Sequence, residues 1–162
     1  MQEWLNWPLS KSGVPQGTEG SNPSLSATRN YIMQDSIFTK IIKGELPSHR
    51  VYEDEYTYAF LDIHPIVAGH TLVVPKRQVE FVWDLDDEDY QHLMDTVKRV
   101  AKHLRDTLEV PYIGVQIIGV DVPHAHVQLI PFTDPAEYHQ RADMNAEPDH
   151  EKLAAIAAKV AL

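Results

Sequence analysis

Two histidines and a glutamine alternate with apolar residues along one short segment, and their spacing could support chemistry. His124, His126 and Gln128 fall in a segment whose composition predicts a strand over residues 124–130. Because successive side chains of a strand point to opposite faces, the three polar groups share one face. Burying polar groups without partners is costly, so this arrangement favours side chains that line a site.

Three interpretations of this segment are open from its spacing alone. The first is a strand with one wetted face, on which two alternating histidines have no special role. The second is a metal site, since His-x-His is a common ligand pair, although the nearest third ligand, Asp121, lies beyond Pro123. The third is a nucleophilic imidazole whose hydrogen-bonding neighbours hold a phosphate group.

Composition limits the class of partner. The chain has 162 residues, a formal net charge of −10 and no cysteine, which excludes disulfides and thiolate nucleophiles. An acidic protein repels polyanions, so we expect a small phosphate-bearing ligand held by local donors, and no nucleic-acid partner. The sequence has no long apolar run and no basic-then-apolar leader, so we expect a cytoplasmic protein without membrane contact.

The elements that must position these side chains follow clear periodicities. Asp35 is a candidate N-cap for a short helix, and Asp86 precedes a helix of about 22 residues whose apolar residues recur at i, i+3 and i+4. The predicted strands cover residues 49–54, 56–62, 71–74, 112–119 and 124–130. The pattern predicts an α+β fold, an antiparallel sheet of about five strands packed by one long helix.

The chain divides into three predicted regions. Residues 1–34 have no helical or strand period and are rich in Gly, Ser, Asn and Pro. We interpret them as a disordered extension, or as upstream DNA translated from a misplaced start with Met33 as the natural first residue. Residues 35–135 form the domain. Residues 136–162 are a C-terminal tail whose alanine-rich end predicts a terminal helix over 148–160.

Four sequence blocks, taken together, resemble the histidine triad (HIT) family. The blocks are Asp35–Pro47, Ala59–Pro65, Gly69–Lys76 and His124–Gln128. Each block alone is a weak signal, but their order and spacing match the family over roughly residues 35–132. The resemblance implies a small single-domain nucleotide enzyme that is a homodimer, with the long helix and a sheet edge at the interface. It implies no metal and no cofactor.

The resemblance also implies a role for each matched residue. His126 is the implied nucleophile, which attacks a nucleotide α-phosphate and forms a covalent nucleotidyl-imidazole, while His124 and His70 support and orient it. Asp62 is the implied acceptor of hydrogen bonds from the ribose hydroxyls. The implied walls of the base site are Ile37, Phe38, Ile41, Phe60 and Ile63. Because only a neutral imidazole is nucleophilic, we expect the other ring nitrogen of His126 to carry the single N–H proton and donate it to a backbone carbonyl.

The chain departs from the family pattern at the third position of the triad, which is Gln128. An amide donates a hydrogen bond but cannot protonate a leaving group. The His-x-His-x-Gln pattern is similar to the transferase branches of the family, whose chains are much longer. A serine-bearing loop ahead of the triad is missing as well, and Ile117 is expected where small hydrolases of the family carry an asparagine.

The sequence therefore leaves three alternative functions open. The leading one is a purine-nucleotide phosphoramidase or nucleotidyl hydrolase that acts through His126 on a phosphoramidate or phosphoanhydride. The second is a nucleotidyltransferase or dinucleoside-polyphosphate phosphorylase, which Gln128 suggests. The third is a nucleotide-binding protein with little turnover, because removing a transition-state donor costs about 10²–10³ in rate.

Overall fold

Five strands and four α-helices make up the described part of the chain. The structure is a computed structural model and describes residues 34–162, so the extension predicted for residues 1–34 lies outside it except for Gln34. The strands are β1 (Arg50–Glu53), β2 (Thr57–Leu61), β3 (Thr71–Pro75), β4 (Tyr112–Gln116) and β5 (Val127–Phe132). The helices are α1 (Ile37–Ile42), α2 (Asp87–Leu108), α3 (Pro135–Tyr138) and α4 (His150–Val160).

The strands form a single antiparallel sheet in the order β1-β2-β3-β5-β4. Strands β3 and β5 are neighbours at its centre, although α2 and β4 lie between them in the sequence. Their register places Leu72 opposite Gln128, so His70, just before β3, comes close to the polar residues of β5. The predicted α+β class and antiparallel sheet are confirmed.

The long helix α2 covers one face of the sheet. The side chain of Asp86 caps its first turn by accepting the N–H of Asp89, as predicted. Its apolar stripe follows the 3.6-residue period of a helix, which keeps large side chains on the face that meets the sheet. The cluster between helix and sheet includes Leu93, Val100, Leu104, Ala59, Val73, Val127 and Leu129. Helix α4 lies beside α2 and adds Leu153 and Val160 to this cluster.

The short helix α1 contributes to the opposite face of the sheet. Its N-cap is Ser36, whose hydroxyl accepts the N–H of Thr39, and not Asp35 as predicted. The reason is the cap geometry, because the capping oxygen lies just before the first helical residue, here Ile37. Asp35 instead forms an ion pair with Lys43. The cluster on this face comprises Phe38, Tyr58, Phe60, Leu72 and Val74.

The largest differences from the predicted strand boundaries are at the start of β5 and the end of β4. Strand β5 begins at Val127 and not at 124, because Pro75 has no N–H with which to continue the pairing of β3 and β5. The chain before Val127 is held differently, by a 2.6 Å hydrogen bond from the N–H of Ala125 to the carbonyl of Val79. Strand β4 ends at Gln116 and not at 119, where its pairing with β5 ends opposite Gln128.

The C-terminal segment packs onto the domain. Asp149 caps α4 by accepting the N–H of Lys152, and α4 occupies most of the predicted 148–160 helix. The N–H of Leu162 donates to the carbonyl of Val51 in β1, which ties the last residue to the sheet. The short helix α3 was not predicted. Its Tyr138 ring lies over Gly114, where the position of a Cβ atom falls 2.1 Å from the ring, so that glycine admits the aromatic side chain.

Replacing Leu104 by alanine tests the core between α2 and the sheet. Leu104 is fully buried in that cluster, so Leu104→Ala leaves a cavity and lowers the free energy of unfolding by about 2–5 kcal/mol. Urea unfolding followed by circular dichroism measures the change. The matched control is Lys102→Ala, at an exposed position of the same helix, which changes stability by less than about 0.5 kcal/mol. Equal effects of the two substitutions would contradict the assigned core.

Candidate active site

His126 is nearly buried and held in one protonation pattern. Its side chain is 6% exposed, and its ring lies edge-on to Phe38 with 5.4 Å between the ring centroids. Its Nδ1 atom lies 2.8 Å from the backbone carbonyl of His124. A carbonyl only accepts, so Nδ1 carries the proton and donates it. In the neutral ring, Nε2 then holds a free lone pair, as a nucleophile requires.

His124 is fully buried and has a partner at each ring nitrogen. Its Nε2–H donates to the carbonyl of Pro75 at 2.8 Å, and its Nδ1 lies 2.8 Å from the hydroxyl of Ser36. Burial lowers the pKa of His124, the carbonyl of Pro75 opposes that shift, and the neighbouring His126 reinforces it. His124 is therefore a neutral, anchored ring, and its own carbonyl is the group that holds His126.

His70 and Gln128 form a hydrogen-bonded pair, and the backbone fixes the direction of the bond. The N–H of Ile66 donates to Nδ1 of His70, so in the neutral ring the proton is on Nε2. That Nε2–H lies 3.1 Å from Oε1 of Gln128 and donates to it. The amide NH2 of Gln128 is then left to donate elsewhere. Burial lowers the pKa of His70, while Asp62, 3.7 Å away, and Gln128 oppose the shift.

Asp62 follows β2 and lies at the rim of this group. Its Oδ1 atom accepts the N–H of His64 at 2.9 Å, which fixes the carboxylate at the start of the loop. Its Oδ2 atom is the one near Nδ1 of His70. The side chain is only partly buried, so a ligand hydroxyl can reach it. The sheet thus places an acceptor at the end of β2 beside the polar side chains of β3 and β5.

The five residues expected to line a base site separate into two groups. Phe38 and Phe60 are buried in one cluster with 5.5 Å between their ring centroids, and Ile41 packs against that cluster. Ile37 and Ile63 lie on the surface, 48% and 41% exposed. The structure therefore gives a rigid aromatic floor next to His126 and two exposed aliphatic side chains that a ligand could cover.

Known proteins share both the sequence pattern and the fold. A family model described as the HIT domain matches residues 43–134.

The chain belongs to the HIT family.

Among the relatives of this HIT-family chain is the adenosine 5'-monophosphoramidase HNT1 of Saccharomyces cerevisiae. It is 42% identical over 99 residues, which cover 60% of this chain and 63% of the relative. The crystal structure of a Hit-like protein involved in cell-cycle regulation from Bartonella henselae superposes with a TM-score of 0.67 at 31% identity, covering 78% of this chain and 94% of that one. A HIT family hydrolase from Clostridium thermocellum superposes with a TM-score of 0.54 at 34% identity, covering 64% and 95%.

The structure connects the predicted site residues in a way that differs in part from expectation. His124 supports His126 as predicted, but through its backbone carbonyl. His70 was expected to orient His126, and its side chain is instead bonded to Gln128. The cause is the register of β3 and β5, which places Leu72 opposite Gln128 and so brings His70 to Gln128. His70 therefore fixes the orientation of the side-chain amide of Gln128.

Ile117 does not take the place of a phosphate-binding asparagine in the HIT-family site. Its side chain packs against the cluster under α2. The residue directly opposite Gln128 in the sheet is Gln116, and paired residues of antiparallel strands share a face. Gln116 therefore lies on the histidine side of the sheet. Sequence reasoning missed it because a shift of one residue moves a strand's side chains to the other face.

Sequence reasoning also missed Ser36, Thr39 and Gln78, which together form a partly buried network beside His124. Oε1 of Gln78 accepts the N–H of Ser36 at 2.9 Å and the hydroxyl proton of Thr39 at 2.5 Å. The signal that was available is local, since Ser36 is a good N-cap residue. Its second partner, His124, is 88 positions away, a distance that no local pattern bridges. No group of three or more His, Asp or Glu side chains suited to a metal ion occurs within residues 34–162.

The buried neutral histidines predict a loss of stability in acid. The pKa values of His70 and His124 are lowered in the fold. The two rings therefore contribute their full stabilisation above pH 6.5, which is near the pKa of histidine in the unfolded chain. Below pH 6.5 the unfolded chain binds more protons, and the free energy of unfolding falls by up to about 1.4 kcal/mol per pH unit for each histidine until the folded pKa is reached. Urea unfolding at pH 7.5, 6.5 and 5.5 measures this slope.

The variant His70→Gln removes one of the two groups, so its slope is smaller than that of the unmodified chain. A free energy of unfolding that is unchanged between pH 7.5 and 5.5 would contradict burial of the two rings in neutral form.

Proposed function

We propose that this HIT-family chain is a nucleotide phosphoramidase or nucleotidyl hydrolase that cleaves at the α-phosphate of a purine nucleotide through His126. The observation that carries the proposal is the hydrogen bond from Nδ1–H of His126 to the carbonyl of His124, which leaves the Nε2 lone pair free. The phosphoramidase and hydrolase relatives support the same reaction class.

The proposed reaction has two displacement steps. Nε2 of His126 attacks the α-phosphorus and forms an N–P bond, while the bond from phosphorus to the leaving amine or phosphate oxygen breaks. The leaving group takes its proton from solvent, because the amide of Gln128 does not titrate. Water then attacks the same phosphorus and gives up a proton to solvent, the N–P bond breaks, and the neutral imidazole returns as the nucleoside monophosphate leaves. Splitting one displacement into two is the usual advantage of a covalent intermediate.

The nucleotide is proposed to bind across the ends of the central strands. The ribose hydroxyls donate to Asp62, whose Oδ2 is partly accessible. The base lies against the aromatic floor of Phe38 and Phe60 and covers the exposed Ile37 and Ile63. In this orientation the α-phosphate reaches the face of the sheet on which His126 lies.

The phosphate oxygens are proposed to be held by neutral amides. The NH2 group of Gln128 is free to donate because its carbonyl oxygen accepts from His70. Gln116, opposite Gln128 in the register, lies on the same face and brings a second amide to the site. Oriented dipoles of this kind stabilise charge that develops on a phosphoryl group in a site with little water.

Trapping the intermediate tests the proposed nucleophile. After brief incubation with adenosine 5'-phosphoramidate and a quench in alkaline denaturant, which preserves phosphohistidine, we expect the intact protein to carry one adenylyl group by mass spectrometry. The variant His126→Ala keeps the fold but gives no adduct and no turnover, since Ala has no nucleophile. The control His103→Ala, on α2, leaves both unchanged. An adduct that persists in His126→Ala would contradict the assignment.

Gln128 supports a second candidate function, that of a nucleotidyltransferase or dinucleoside-polyphosphate phosphorylase. A site whose third position cannot exchange a proton gives water no general base at that position. An anionic acceptor such as phosphate arrives already deprotonated and needs none. The two functions share the nucleotidyl-His126 intermediate and differ in the acceptor that removes the nucleotide.

The identity of the acceptor separates the two functions. With diadenosine tetraphosphate as substrate, we expect the hydrolase to release AMP at a rate that does not depend on inorganic phosphate. We expect Gln128→His to raise that rate, because an imidazole can relay the proton of the attacking water. Product analysis by ion-exchange chromatography measures both. ADP formed only when phosphate is present would replace the hydrolase with the phosphorylase, and tight nucleotide binding without any product would leave a binding protein.

We also propose that two copies of the chain associate through β4. This strand is the edge of the sheet, and its Tyr112 and Val115 are 54% and 47% exposed. An open sheet edge with exposed apolar side chains is a natural place for a second strand to pair.

No helix within residues 34–162 is long and apolar enough to cross a lipid bilayer.

A further inference from the structure

Ser36 joins the helix that carries the aromatic floor to the first histidine of the triad. It is 6% exposed and caps α1 by accepting the N–H of Thr39 at 3.1 Å. The same oxygen lies 2.8 Å from Nδ1 of His124. The cap therefore has a second, long-range partner, and that partner belongs to the site.

The hydrogen-bond network identifies which group donates to His124. Oε1 of Gln78 accepts the N–H of Ser36, so this atom of the amide is the oxygen. Thr39 is the second residue near Nδ1 of His124, with its hydroxyl at 3.3 Å. That hydroxyl has a single proton, and the bond to Oε1 of Gln78 uses it. The hydroxyl of Ser36 accepts the N–H of Thr39 and still has its own proton. Its oxygen lies 3.1 Å from the Thr39 hydroxyl and 2.8 Å from Nδ1 of His124, so we assign the proton to the shorter contact, which makes Ser36 the donor to His124.

We propose that Ser36 is a positioning residue for the nucleophile, which holds His124 in its Nε2–H form and thereby holds the carbonyl that binds His126. The proposal rests on the proposed function for its effect on turnover, whereas the form of the His124 ring is a property of the protein without substrate.

The two bonds of His124 explain how a side chain on α1 acts on His126. The ring is fixed at one end by Ser36 and at the other by the carbonyl of Pro75 at the end of β3. The next residue, Ala125, is bonded through its N–H to the carbonyl of Val79. The peptide group that joins His124 to Ala125 is thus clamped between these contacts, and its carbonyl accepts the hydrogen bond from Nδ1 of His126. Loss of Ser36 frees one end of this clamp.

Loss of Ser36 also changes the charge that His124 can carry. The groups against the ring are Ser36, Thr39, the carbonyl of Pro75, the ring of Phe38 and His126, and of these only His126 titrates. A donor at Nδ1 occupies the lone pair that would otherwise bind a proton. Without it, His124 is protonated at a higher pH, and its positive charge makes the neighbouring His126 a weaker nucleophile.

Nuclear magnetic resonance of the substrate-free protein tests the first half of the proposal. In the full chain labelled with ¹⁵N-histidine, we expect His124 at neutral pH to show a protonated Nε2 and an unprotonated, hydrogen-bonded Nδ1. In Ser36→Ala we expect the Nδ1 shift to move toward that of a free nitrogen and the titration midpoint of His124 to rise. Ser36→Thr keeps the hydroxyl and restores both values. Thr39→Val is the matched control and leaves both unchanged, because Thr39 donates to Gln78.

The pH dependence of turnover tests the second half. With adenosine 5'-phosphoramidate, we expect Ser36→Ala to lower kcat/KM at pH 7 by about three- to tenfold, the effect of one net hydrogen bond. We expect the acidic limb of its pH profile to move to higher pH, which general weakening of the fold would not produce. Ser36→Thr returns the limb to its original position.

Three results would overturn the proposal. One is a wild-type His124 ring protonated on Nδ1, which requires no variant to observe. The second is a Ser36→Ala protein with the wild-type titration and the wild-type acidic limb. The third is a shift in Thr39→Val as large as that in Ser36→Ala, which would make Thr39 the donor. If the unmodified chain has no turnover, the proposed function fails, and the resonance experiment still decides the role of Ser36.

Discussion

The hydrogen bond from Nδ1 of His126 to the carbonyl of His124 is the interaction on which the rest of the site depends. An imidazole in solution exchanges its proton between two nitrogens, and either can be the acceptor. A carbonyl removes that freedom because it can only accept. Similar constraints act on the rings beside it, since Pro75 offers a carbonyl to His124 and Ile66 offers an N–H to His70. At least one ring nitrogen of each of the three histidines is therefore bonded to a backbone group, which does not titrate.

The two faces of the sheet carry different kinds of side chain. The face under α2 is an apolar core that includes Val73, Val127 and Leu129, and it holds the central strands rigidly in register. The other face carries the polar residues, which alternate with those core residues along the same strands. A packed interior does not deform to suit a side chain. The position of His126, one residue before β5, is therefore set by the core on the opposite face of the sheet.

The sequence predicted the parts of the fold that have a local cause. The α2 helix, its Asp86 cap and the alternation of polar and core residues through Gln128 are all readable over a few neighbouring positions, and the structure agrees with them. The expectation that depended on an exact boundary was wrong, since Ser36 and not Asp35 caps α1. Gln116 was missed because its place opposite Gln128 depends on the register of the strands. A shift of one residue leaves a composition pattern almost unchanged. In a sheet, however, the same shift moves every side chain of the strand to the opposite face.

The parts of the site that could not be predicted are its long-range pairs. Ser36 and His124 are 88 positions apart, and His70 and Gln128 are 58 apart. The pair of His70 and Gln128 can be inferred only once β3 and β5 are known to be neighbours. The pair of Ser36 and His124 can be inferred only once α1 is known to pack on the histidine face of the sheet. The residues of the triad are recognisable by type, whereas their hydrogen-bond directions follow from partners elsewhere in the chain.

An acidic protein that holds a phosphate must do so without attracting it from a distance. The formal net charge is −10, and several cations on the elements around the site are engaged by carboxylates. Lys76 pairs with Glu53, Arg77 with Asp86 and Asp89, and Lys43 with Asp35. The donors that the structure orients on the histidine face are the uncharged amide of Gln128 and the histidine rings. Such dipoles act only at contact distance, so selection of the ligand rests on fit at the site, and long-range attraction contributes little. This explains why fixing the direction of each hydrogen bond matters more here than adding positive charge.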